Sequence, residues 1–221
     1  MTAFFIFGSC SVNRLMQFLS EAEYEQEAKP MLRQVFIDDD PYGAIFVPHV
    51  EDKKIIYGRY AEFFSPLSDA IVKAAVNLGD EGFYYTAIWL SETEPVRHCY
   101  VSFAEFNLPY EQRNDEDWEK IKLFHCLEHA VYSPSGQWGI IFAHEHHALI
   151  AGTKEMMEAI RDAIPDLDFE KQIHDFIKHW QYYNSNGFHT SWISALLTQL
   201  CGKQKAQDLL DRYDMKPLRR L

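Results

Sequence analysis

The chain has 221 residues, 47% of them apolar and 24% charged, with 33 acidic against 21 basic side chains and a net charge of −12. A chain of this length can bury about 70% of its surface, which excludes a miniprotein that needs disulfides or a metal to fold. The acidic balance excludes a nucleic-acid binder, which needs a basic footprint, and no apolar run is long enough to span a membrane.

The opening Thr2 to Phe7 reads as a short Phe-rich strand and not as a signal peptide, since it has no basic flank. Ser9 or Ser11 then caps an expected helix with Leu15, Phe18, Leu19 and Ala22 on its apolar face, ended by Pro30. Apolar runs at Val35–Ile37 and Ala44–Val47 predict two strands around the turn signal Asp38-Asp39-Asp40-Pro41-Tyr42-Gly43. A strand follows at Lys54–Tyr57. Ser65-Pro66 opens a helix whose stripe is Leu67, Ile71, Ala74, Ala75 and Leu78, stopped by Gly79.

Two aromatic, β-branched strands are expected at Phe83–Leu90 and His98–Phe106. A short helix from Asn114 carries Asp115, Glu116 and Asp117 in its first turn, where negative charge suits the helix dipole. Three strands follow at Ala130–Tyr132, Trp138–Ala143 and Ala148–Ala151, the first two joined by Ser133-Pro134-Ser135-Gly136. Thr153 caps a helix over 154–163. Phe169, Ile173, Phe176, Ile177, Trp180 and Tyr183 form a helical stripe. Trp192 to Leu200 forms another, closed by Gly202, and Ala206 to Tyr213 a last one. The expectation is an α+β fold: a mixed, mainly antiparallel sheet, helices grouped at one end, and a helical C-terminal third. Residues 1–164 make the α+β domain, and 165–221 a helical extension packed on the same core.

The strings that bear on chemistry are few. His125-Cys126-Leu127-Glu128-His129 matches HxxEH, and FHCLEHAVY resembles the motif of the pitrilysin/insulinase metalloproteases. That resemblance implies zinc held by His125 and His129 with Glu128 as general base, but the family's downstream glutamate ligand has no counterpart after Glu170. His144, Glu145, His146 and His147 form a second cluster, at a turn between strands. Neither is assigned as a metal site, because no complete ligand set can be named from sequence. No nucleophile elbow, Walker A or dinucleotide fingerprint occurs, so no cofactor and no catalytic residue is expected. Four dispersed cysteines without a CxxC pair predict reduced thiols and a cytoplasmic location.

Charge is uneven: residues 1–120 hold 21 acids and 10 bases, and residues 121–221 hold 12 and 11. The acidic groups Asp38, Asp39, Asp40 with Tyr42, and Asp115, Glu116, Asp117, are therefore the expected contact residues for a basic protein partner. The segment from Tyr132 to Ile160, with Ser-Pro-Ser-Gly, Trp-Gly, His-Ala-Leu and Gly-Thr in order, resembles a group of small bacterial proteins. Some of that group are regarded as immunity proteins of polymorphic toxin systems. The resemblance implies a cytoplasmic inhibitor that covers the active site of a basic toxin, a nuclease for example. A metal-dependent hydrolase using HxxEH, and a structural or assembly protein, are the alternatives.

Overall fold

The computed structural model describes residues 16–58, 66–89, 97–106 and 128–215. Seven strands form one sheet in the order β1-β4-β3-β5-β6-β7-β2. They are β1 (Met16–Phe18), β2 (Asp52–Tyr57), β3 (Gly82–Trp89), β4 (Arg97–Ser102), β5 (Glu128–Tyr132), β6 (Trp138–Ala143) and β7 (His147–Gly152). All described pairings are antiparallel, so the fold is α+β.

The helices lie on both faces of this sheet instead of at one end. On one face pack α3 (Pro66–Asn77) and α5 (Lys154–Ala163), burying Leu67, Ile71, Met156 and Ile160 against Phe83, Val101, Trp138 and Ile140. On the other pack α6 (Phe169–Ser185), α7 (Trp192–Cys201) and α8 (Lys203–Arg212), which bury Phe176, Trp180, Leu196 and Leu209 against Ile55, Tyr132, Ile141 and Leu149. The reason is legible in the strands. Trp138–Ala143 and His147–Gly152 are nearly continuous apolar runs, and every residue of both is buried. A run without polar alternation needs cover on both sides.

The N-terminal region departs from the expected helix. Met16–Phe18 is an edge strand paired with β4, with Met16 opposite Val101. The helix starts after Ser20, whose side chain accepts from the Glu23 amide while Glu23 reaches back to the Ser20 amide, a capping box. It runs unbroken as α1 (Glu21–Glu23), a π turn (Tyr24–Ala28) and α2 (Lys29–Leu32). Pro30 does not end it. The π turn carries the Lys29 amide to the Tyr24 carbonyl, and the next residue, lacking an N–H, has no bond to lose. The runs at 35–37 and 44–47 shrink to a bridge between Phe36 and Phe46, flanked by hydrogen bonds from Ile37 to Ile45 and from Val47 to Val35. The strand expected over 98–106 stops at Ser102 and turns into α4 (Phe103–Phe106). The first expected strand, Thr2–Phe7, and the helix from Asn114 lie outside the described residues, as do Asp115, Glu116 and Asp117.

Candidate functional site

The β5–β6–β7 meander has two turns, at opposite ends, and both gather polar side chains. At the first turn, Ser133-Pro134-Ser135-Gly136, Gly136 has a φ of 70°, and its amide donates to the Ser133 carbonyl. Asp80, just after α3, accepts from the Ser133 hydroxyl at 2.9 Å, the Ser135 hydroxyl at 3.2 Å and the Trp138 indole N–H at 2.8 Å. One carboxylate thus meets three neutral donors and ties the turn to the helix across the sheet. The Ser-Pro-Ser-Gly-x-Trp string is a fastening. Gly152 belongs to it by close approach: an added Cβ would lie 2.9 Å from the Trp138 Cβ.

At the second turn, His144-Glu145-His146, the side chains are of another kind. The His144 Nδ1 lies 2.7 Å from Glu128 Oε1, and its Nε2 lies 2.7 Å from Glu145 Oε1. The Tyr42 hydroxyl lies 3.2 Å from Glu128 Oε1 and 3.3 Å from His144 Nδ1, and it also donates to Glu145 Oε2. Glu128, His144 and Glu145 each offer a ligand atom within 4.8 Å of the others. Local folding explains the convergence. His146 takes a left-handed φ of 57°, which closes the turn tightly. The β5–β6 register pairs His129 with Phe142, so one step further sets Glu128 beside the start of that turn. Asp40 accepts from the Tyr42 amide at 2.9 Å and holds the loop that delivers Tyr42.

Below this cluster the surroundings are aromatic. The Tyr42 ring meets Trp192 edge-on at 5.0 Å and His147 at 5.7 Å. His147 is fully buried. Burial pushes its pKa down to about 3, with the Pro41 carbonyl acting weakly the other way. Neither of its ring nitrogens makes a hydrogen bond of ordinary geometry. Burial also raises the Glu145 carboxyl above the usual range.

The HxxEH string does not form the inverted zinc-protease arrangement over its described part. Glu128 and His129 are successive residues of a strand, so their side chains leave opposite faces. Glu128 faces Tyr42 and His144, whereas His129 stacks between Tyr85 and Phe142. His125 lies outside the described residues.

A cleft of about 640 Å³ opens between the end of β2 and α6, lined by Tyr57, Gly58, Asp168, Lys171, Asp175 and His179. Its charged groups serve the helix: Asp168 accepts from the amides of Glu170 and Lys171, and Lys171 pairs with Asp175 at 3.4 Å.

The expected contact residues Asp38 and Asp40 are exposed, while Asp39 is half-buried and paired with Arg33 at 2.8 Å. That pair ties the acidic turn to the helical segment before it. Glu21, Glu23, Glu25 and Glu27 are all exposed there. Glu21, Glu25 and Asp39 act together on the buried Tyr24, whose pKa rises to about 12, mainly through burial. Exposed Phe18 and Ile37 flank the same segment. Tyr42 is half-buried in the histidine–carboxylate cluster.

No family model, curated protein or solved structure matches the chain. Among the described residues, no helix is long and apolar enough to cross a membrane.

Proposed function

We propose that this is an immunity-type docking protein that neutralises a basic toxin by covering its active site. The reading rests on one observation. Between Ser20 and Asp40 the chain carries seven carboxylates against Lys29 and Arg33, with all four helical glutamates exposed. Lys29 is paired with Glu25 at 2.5 Å and Arg33 with Asp39 at 2.8 Å, so both bases are engaged within the ridge. A ridge of one sign steers an oppositely charged partner and accelerates encounter. The exposed Phe18 and Ile37 supply apolar anchors beside it, and apolar anchors hold a docked complex together.

The test is association kinetics with candidate basic toxins encoded beside the gene. Two triple variants are compared with the wild type, one carrying Asp38, Asp39 and Asp40→Lys and the other Glu21, Glu25 and Glu27→Lys. At about 50 mM salt each should slow association by about tenfold or more, and the difference should shrink as salt screens the ridge. Association unchanged at low salt would remove the ridge from the interface. Reversal of Asp115, Glu116 and Asp117 tests the second acidic group in the same way.

A further inference from the structure

We propose that the turn between β6 and β7 is a zinc site, with Glu128, His144 and Glu145 as protein ligands and Tyr42 orienting them. The inference stands independently of the docking reading. It starts from the donor set. An imidazole and two carboxylates from separate stretches of chain bring ligand atoms within 4.8 Å of one another. Around tetrahedral zinc, with bonds near 2.1 Å, ligand atoms sit about 3.4 Å apart, so His144 Nδ1 and Glu128 Oε1, now at 2.7 Å, part slightly to admit the ion. Nitrogen and oxygen ligands together favour zinc over magnesium or calcium, which take oxygen alone.

The surroundings are those a metal ligand set uses. The Nδ1 side of His144 faces Glu128 Oε1 at 2.7 Å and the Tyr42 oxygen at 3.3 Å. Its Nε2 lies 2.7 Å from Glu145 Oε1, a contact that Glu145 exchanges for the metal when zinc binds through Nδ1. The Tyr42 hydroxyl lies within hydrogen-bonding reach of carboxylate oxygens of both Glu128 and Glu145 and gives its one proton to either. Glu128 is 7% exposed, on a strand packed on both faces, so one ligand is rigid. His144 and Glu145 are half-exposed on the turn, which leaves an entry path from solvent. The aromatic floor of Tyr42, Trp192 and the buried His147 lowers the local dielectric and strengthens the charge interaction.

Bound zinc would fasten three separate stretches: the start of β5, the β6–β7 turn and, through Tyr42, the acidic loop at 38–43. The site is therefore structural, and its readouts are affinity and stability.

The experiment is a zinc titration of untagged, chelator-treated protein by calorimetry, repeated with cobalt, whose visible absorption reports nitrogen and oxygen ligation directly. The expected result is one zinc per chain, with affinity reduced at least tenfold in His144→Ala and in Glu128→Gln. The chain has ten histidines, so His49→Ala and His189→Ala, both exposed and away from the turn, serve as controls that should keep full affinity. Glu128 is buried, so Glu145→Gln on the half-exposed turn is the variant that isolates ligation from folding. It should lose about tenfold in affinity with an unchanged circular dichroism spectrum. Absence of stoichiometric zinc, or wild-type affinity in both His144→Ala and Glu145→Gln, would overturn the site. The four side chains would then be a histidine–carboxylate ion cluster.

Discussion

The two turns of the β5–β6–β7 meander share a scaffold and differ in what they gather. At the first, Asp80 is one carboxylate surrounded by the hydroxyls of Ser133 and Ser135 and the indole of Trp138, all neutral donors. At the second, two carboxylates crowd one imidazole and one phenol. A carboxylate among neutral donors is at rest, and its loss is felt as stability. Carboxylates converging on an imidazole form the donor set of a cation, and their loss is felt as binding. Both turns hold conspicuous side chains in sequence, and only the company each one keeps separates fastening from site.

The comparison can be broken or sharpened by substitution, and the largest effect belongs to the fastening. Trp138 is fully buried, and Trp138→Ala should cost about 3–5 kcal/mol in urea denaturation. Asp80→Ala leaves two hydroxyls and an indole N–H without their acceptor, at a cost of about 1–3 kcal/mol. His144→Ala takes the imidazole from the buried Glu128 carboxylate, which keeps the Tyr42 hydroxyl, and should cost about 1–2 kcal/mol without zinc. A larger loss there would make the second turn a fastening too.

A histidine elsewhere in the sheet sharpens the contrast by pH. His98 on β4 is buried against Tyr24, and burial lowers its pKa although Glu21 pulls the other way. A depressed histidine pKa means the unfolded chain takes up the proton more readily. The contribution of His98 is therefore complete above the ordinary value of 6.5 and is lost as the pH falls below it. Between pH of about 7.5 and 5.5, wild type should lose more stability than His98→Phe, by at most about 1.4 kcal/mol per unit. Equal slopes would mean that His98 takes up its proton alike in the folded and the unfolded chain.

Much of the first turn was legible in sequence. The Ser-Pro-Ser-Gly signal and the run from Trp138 predict a hairpin, and Trp138–Ala143 forms as expected. Thr153 and the segment after it also behave as their local chemistry dictates, with α5 spanning Lys154–Ala163. What sequence hid was partnership across distance. Nothing local announces that Asp80 meets the hairpin. The HxxEH string drew attention to His125 and His129, whereas Glu128 is the member that joins the His144 turn. The signal was there: counting back from the Ser133–Gly136 turn sets Glu128 near position 143. A helical reading of the motif masked that register. The strand at Met16–Phe18 was hidden because three residues are too few for periodicity, and β4 supplies the pairing that decides it.

The most direct test crosses the two turns. Denaturation midpoints of wild type, Asp80→Ala and His144→Ala are measured with and without zinc, at a concentration about a hundredfold above the wild-type dissociation constant. Wild type and Asp80→Ala should each gain about 2.7 kcal/mol from zinc, the second from a lower baseline, while His144→Ala, with its affinity down at least tenfold, should gain at most about 1.4 kcal/mol. An undiminished zinc gain in His144→Ala, or none in wild type, would contradict the division of labour between the two turns.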